Sequence, residues 1–175
     1  DLPLPPHLEG DRGKIARIAS AHHRPDEENL SEMAIALGDS SSAGADRTKY
    51  HETDETPGFR ESRLLSVFDE VELMDHNFAD PGNWHHKLVP LDSENDAIFP
   101  SKEANSGSPK DYNGLFDDFL KAIENLDTDI PFAFYLDSLI SILEKYTWCI
   151  PSSSYKTLPD ISLFDHSLTT ATIAQ

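Results

Sequence analysis

The chain has 175 residues, room for one domain or one domain and a linker. Its 14 basic and 32 acidic residues leave a net charge of −18. That balance repels phosphate backbones and excludes broad, nonspecific nucleic-acid binding by this stretch alone. The single cysteine, Cys149, excludes an internal disulfide and a thiolate zinc site, as expected of a reducing cytoplasm. No signal peptide is visible, and the most apolar stretch, residues 131–143, is interrupted by Asp137 and is too short to span a membrane.

The opening DLPLPPHLEG is a proline-rich, extended lead-in. Asp11 can cap a helix over 14–23 whose apolar face is Ile15, Ile18, Ala19 and His22, spaced i, i+3, i+4, i+7. His22 then points with the buried side, and His23 lies about a hundred degrees round the helix. Pro25 breaks it. Asp26, Glu27 and Glu28 suit the N-terminal dipole of a second helix, and Asn29 and Glu32 have capping-box spacing. Leu30, Met33, Ala34 and Leu37 form its apolar stripe. Gly38 reads as its end, with SSSAGADR as the loop that follows.

Residues 48–60 are polar. Leu65, Val67, Val71 and Leu73 then alternate as a strand, with a turn or bulge at Asp69–Glu70, and HHKLVPLD reads as a second extended piece. Residues 92–107 read as loop. Two longer helices carry the stripes Phe116, Phe119, Leu120, Ile123, Leu126 and Phe132, Leu136, Leu139, Ile140, Leu143. Their short connection, 127–131, predicts an antiparallel pair. Pro151 and Pro159 exclude a helix through the next stretch, where Ser152, Ser153 and Ser154 favour local side-chain bonds. Asp160 and Asp165 are candidate N-caps of a last helix continuing through Leu168–Ala174. The predicted fold class is mainly α with a small β component (α+β): a partial helical bundle followed by connector helices. The chain stops inside a predicted helix and reads as a piece of something longer.

His22, His23 and Asp39 are the first candidate site. Adjacent histidines on one helix and an aspartate at the end of the next can bring imidazole and carboxylate onto one divalent cation. Such a cation activates water for phosphodiester cleavage. A histidine on an apolar helix face is also simply a packed core residue. Asp165–His166 can orient an imidazole for acid–base work, but reads better as a cap and its packed neighbour, both structural. His85–His86, beside Trp84, lacks a patterned carboxylate and reads as surface loop. His51 with Glu52, Asp54 and Glu55 is a solvated acidic run. Tyr146 and Trp148 fit core packing or a subunit contact better than base stacking, because basic residues are sparse. No Gly-rich phosphate loop, nucleophile elbow or zinc-finger spacing occurs.

The tail IPSSSYKTLPDISLFDHSLTTATIA resembles the junction segment in the large signature subunit of type III CRISPR–Cas interference complexes, nearest the III-A (Csm) branch. AHHRPDEEN and ALGDSSSAGADR resemble the later part of that subunit's HD nuclease domain, and 63–73 and IFP (98–100) its connecting region. The resemblance implies four parts: 1–49, the end of an HD-like bundle; 50–110, a connector with short strands; 111–150, a helical pair; 151–175, the junction and first helix into the palm domain. It implies RNA-guided antiviral defence, with target-RNA-activated cleavage of single-stranded DNA by the HD domain and cyclic oligoadenylate synthesis from ATP by the palm domains. His22, His23 and Asp39 carry over as catalytic and metal-site candidates for a divalent metal ion. Asp46 and Arg47 match the end of the loop and are structural. The implied partners are the other subunits of the ribonucleoprotein, CRISPR RNA, target RNA and single-stranded DNA, with no membrane, in the cytoplasm.

The chain departs from the family at defined places. It has no His-Asp dipeptide; Asp165–His166 and Asp75–His76 run in the reverse order. The GGDD palm motif is absent, and Leu168 stands where the family often has a basic residue. Two other readings stand beside this one: a purely structural docking connector, and an unrelated HD-superfamily nucleotide phosphohydrolase.

Overall fold

A computed structural model of the chain describes residues 2–46, 60–70, 84–92, 94, 96–105, 108–153 and 159–175. A 3-10 turn over Pro6–Asp11 leads into α1 (Arg12–Ser20), which ends earlier than its periodicity predicts. His22 and His23 therefore sit in the turn after the helix, not on it.

α2 (Leu30–Asp46) starts where the capping-box spacing places it. Asn29 Oδ1 accepts from the amides of Ser31 (3.1 Å) and Glu32 (3.4 Å), and its Nδ2 donates to Glu32 Oε1 at 2.8 Å. An N-terminal side-chain cap contributes about 1 kcal/mol. The helix does not stop at Gly38 but continues to Asp46, so part of the expected SSSAGADR loop is helical. The reason is packing. A Cβ at Gly38 would lie 2.5 Å from the backbone oxygen of Thr170, so the glycine admits another helix rather than ending its own.

The expected apolar stripe of α2 faces outward. Leu30, Met33 and Leu37 are 84%, 40% and 63% exposed, while Glu32 and Ser42 are each 2% exposed. Hydrogen bonding has overridden hydrophobic periodicity here.

The expected strands reduce to isolated antiparallel bridges among the described residues: Leu65 with His85, His85 with Ser101, and Pro151 with Ser162. Val67–Glu70 is a 3-10 turn, and Val71 and Leu73 lie outside the described residues. Two further 3-10 turns, Asp96–Ile98 and Lys102–Asn105, fall within the expected loop.

α3 (Pro109–Glu124) has a full capping box, Ser108 with Asp111, and a proline in its first turn. α4 (Phe132–Thr147) packs on it. Phe119 meets Tyr146 edge-on at 6.0 Å, and Tyr112 and Leu115 share a cavity with Leu143 and Ile150. The start of α3 against the end of α4 is the antiparallel arrangement. Leu115, Ile123, Leu126 and Tyr135 are buried, and the Tyr135 hydroxyl donates to Pro3 O at 2.9 Å, which ties the lead-in to this pair. Phe116, Leu120, Phe132 and Leu136 remain exposed. Arg63, buried, donates to the carbonyls of Arg60, Ser62 and Ser108 and to Asp111 Oδ2.

α5 (Leu163–Ile173) is capped by Ser162, not by Asp160 or Asp165. Ser162 Oγ accepts from the Asp165 amide at 3.0 Å and donates to Asp165 Oδ2 at 2.6 Å. The proline-flanked crossing is wired to the body: Leu65 N donates to Pro159 O (2.7 Å), Ser152 N to Ile161 O (2.8 Å) and Leu163 N to Ile150 O (2.7 Å). Among the described residues the most extensive helix–helix contact is α2 with α5, so the tail lies against the histidine-bearing end of the chain. The fold is mainly α.

Candidate functional site

His22 and His23 are held by the turn between α1 and α2. His22 Nδ1 donates to Ala19 O at 2.7 Å, which leaves the lone pair on Nε2. The two imidazoles lie 4.0 Å apart, centroid to centroid. Glu32 fixes this turn from below. Its carboxylate accepts from Arg17 Nε (2.7 Å), the Asp26 amide (2.9 Å) and Asn29 Nδ2 (2.8 Å). Arg17 also reaches Asp26 at 3.3 Å. Sequence reasoning placed Glu32 only as a capping partner; its burial as the hub of the turn was missed.

Asp39 lies one residue past Gly38, on the α2 face that meets α5. Its Oδ1 accepts from His166 Nε2 at 3.1 Å. His166 Nδ1 lies 2.9 Å from Ser42 Oγ, one turn further along α2. His166 is thus gripped at both ring nitrogens by α2. No other hydrogen bond to the Asp39 carboxylate is made among the described residues, so Oδ2 has no protein partner there. His166 was expected to be structural, and its role across the helix contact was not visible in its own neighbourhood.

The three residues singled out from the sequence therefore fall into two groups. His22 and His23 are together; Asp39 is joined to His166. Each offers a donor atom with no hydrogen bond, His22 through Nε2 and Asp39 through Oδ2, and two imidazoles with a carboxylate suit a divalent cation in chemistry. They do not close a shell. Among the described residues no group of three or more His, Cys, Asp and Glu side chains is arranged to hold a metal ion.

The other pairs are internal. His85 is 8% exposed and bridges Leu65 and Ser101, which corrects the surface-loop expectation. Its backbone trades both hydrogen bonds with Ser101, so the segment is drawn inside. His86 Nδ1 donates to Ile98 O at 3.1 Å, and its ring meets Trp148 edge-on at 5.1 Å. Burial holds the His86 imidazole below its ordinary value, partly offset by the Ile98 carbonyl. Trp148 Nε1 donates to Val89 O at 2.9 Å, the packing role expected of it. Cys149 is fully buried, and burial pushes its thiol up to about 11, so it is an inert core group. The acidic run at His51 lies outside the described residues. No helix among the described residues is long and apolar enough to cross a membrane.

No family model matches the chain, and no solved structure matches it. Over an alignment 182 positions long that covers 96% of the chain, it is 33% identical to the CRISPR system single-strand-specific deoxyribonuclease Cas10/Csm1 (subtype III-A) of Methanocaldococcus jannaschii. The chain spans 22% of that relative's length. On this alignment the chain belongs to the Cas10/Csm1 family of CRISPR subtype III-A.

Proposed function

We propose that the chain is the part of a type III-A CRISPR effector large subunit that joins its HD-type nuclease region to its first palm domain, in RNA-guided antiviral defence. The observation that carries this reading is the alignment over 96% of the chain, taken with the direct packing of α2 on α5. On this reading residues 1–49 close the HD-type bundle, 50–110 and 111–150 form the connector, and 151–175 lead into the palm.

His22, His23 and Asp39 would hold a divalent cation together with ligands from outside these residues. A cation so held supplies a water of lowered pKa for phosphodiester cleavage. This chain's own contribution is orientation. The Ala19 carbonyl sets the His22 tautomer, Glu32 fixes the turn that carries both histidines, and His166 fixes one oxygen of Asp39. The substrate is single-stranded DNA. ATP-dependent cyclic oligoadenylate synthesis belongs to palm domains elsewhere in the protein. The partners are the other subunits, CRISPR RNA and target RNA. With a net charge of −18, the chain leaves nucleic-acid contacts largely to them.

The experiment is cleavage of single-stranded DNA by the full-length protein in its assembled complex, with manganese and target RNA. His23→Ala and Asp39→Ala each reduce cleavage to background; full cleavage by both variants overturns the site assignment. A second reading, a connector with no metal role, is favoured by the absence of a converged three-donor cluster among the described residues. It predicts that both variants cleave as the parent does.

A further inference from the structure

The Asp39 carboxylate is oriented by a residue 127 positions away, on a helix outside the stretch that resembles a nuclease domain. Asp39 Oδ1 accepts from Nε2–H of His166 at 3.1 Å, so in the neutral ring Nδ1 carries the lone pair. Ser42 Oγ lies 2.9 Å from Nδ1. The same hydroxyl donates to the His166 carbonyl at 3.3 Å when its one proton is not directed at the ring, so either arrangement ties His166 to α2. Ser42 is buried, so water does not compete for this hydroxyl.

The helices carrying these groups have little freedom to slide. At Gly38, immediately before Asp39, the backbones approach so closely that a Cβ would lie 2.5 Å from Thr170 O. Glycine and imidazole contacts fall within about one turn on each helix. One carboxylate oxygen is thereby held and the other has no protein partner among the described residues, the pattern of a carboxylate ligand set by an outer hydrogen-bond donor.

We infer that His166 is a positioning residue: from α5 it sets the Asp39 carboxylate on α2, so the geometry of the cation site depends on how the tail helix is seated. The inference rests on the cation role proposed above for Asp39. It assigns to the tail helix a function in the HD-type site in addition to leading the chain onward. Movement of α5 displaces an Asp39 oxygen directly, with no intervening residue.

The test compares His166→Gln with His166→Leu in the full-length protein. The glutamine amide can place an N–H donor where Nε2–H stands; leucine fills space without a donor. Manganese affinity is measured by calorimetry without nucleic acid, then single-stranded DNA cleavage in the assembled complex. His166→Leu should bind manganese about 10-fold more weakly than the parent, with His166→Gln within about 3-fold of it. The cleavage defect of His166→Leu should lie in kcat, with KM for DNA unchanged. Equal manganese affinity in the two variants overturns the inference. If Asp39→Ala still abolishes binding, the cation role of Asp39 survives that failure. If Asp39→Ala binds manganese as the parent does, the cation role itself falls and takes the inference with it. Should His166→Leu fail to fold, His166→Met makes the same comparison.

Discussion

Asp39 on α2 and His166 on α5 meet at 3.1 Å, although 127 residues separate them. The contact closes the chain on itself, bringing the helix after the histidine turn against the helix after the proline-flanked crossing. It is not an isolated ion pair on a surface, where such a contact contributes little. Both side chains are partly buried, Ser42 lies against the other ring nitrogen, and the backbones come close at Gly38.

Gly38 and Gly114 are both helical glycines with opposite surroundings. Alanine in place of a helical glycine stabilises by about 1 kcal/mol through backbone entropy. At Gly114 nothing lies within 4 Å of the new Cβ, so Gly114→Ala should realise most of that gain. At Gly38 the Cβ meets Thr170 O at 2.5 Å, and forcing α2 from α5 costs about 1–3 kcal/mol, more than the entropy returns. Denaturant unfolding should show Gly114→Ala more stable than the parent and Gly38→Ala less stable. The same sign at both sites would contradict the close helix approach.

Glu32 is a buried carboxylate satisfied by one guanidinium, one backbone amide and one side-chain amide. Glu32→Ala strands those donors and should lower stability by roughly 2–4 kcal/mol. Glu32→Gln keeps one acceptor oxygen and should lose less. Because the histidines ride on the same turn, Glu32→Ala should also broaden the NMR signals of the His22 and His23 rings. A change within about 0.5 kcal/mol of the parent would contradict the hub role of Glu32.

His86 makes stability depend on pH. Burial holds its folded value below the 6.5 of an ordinary histidine. Between those two values the unfolded chain binds the proton and the folded chain does not, so acidification favours unfolding. The stability present above pH 6.5 is therefore lost as the pH falls through the folded value. His86→Asn, which can keep an N–H directed at Ile98 O without titrating, should show a smaller drop in Tm between about pH 7.5 and about pH 5. An unchanged drop would remove His86 as its source.

Local signals in the sequence were legible where the controlling physics is local. The start of α2 follows from Asn29 and Glu32, and the antiparallel helical pair follows from two apolar stripes and a short link. Gly38 misled because a glycine that ends a helix and one that admits a neighbouring helix look alike in one dimension. Leu30, Met33 and Leu37 misled because the buried side of α2 is chosen by Glu32, Ser42 and the approach of α5. In the tail, Ser162 and Asp165 have N-cap spacing, but the serine closes the helix and the aspartate accepts from it. Of the candidate site, the residue types were readable; the partner of Asp39 was not, since nothing local ties position 39 to position 166.

A double-mutant cycle on Asp39 and His166 tests the α2–α5 coupling most directly. Stability is measured by denaturant unfolding for Asp39→Ala, His166→Ala and the double variant, with Leu168→Ala on the exposed side of α5 as a control. The contact predicts a coupling energy of about 0.5–1.5 kcal/mol between Asp39 and His166, and none between Asp39 and Leu168. Losses at Asp39 and His166 that add to within about 0.3 kcal/mol would contradict it.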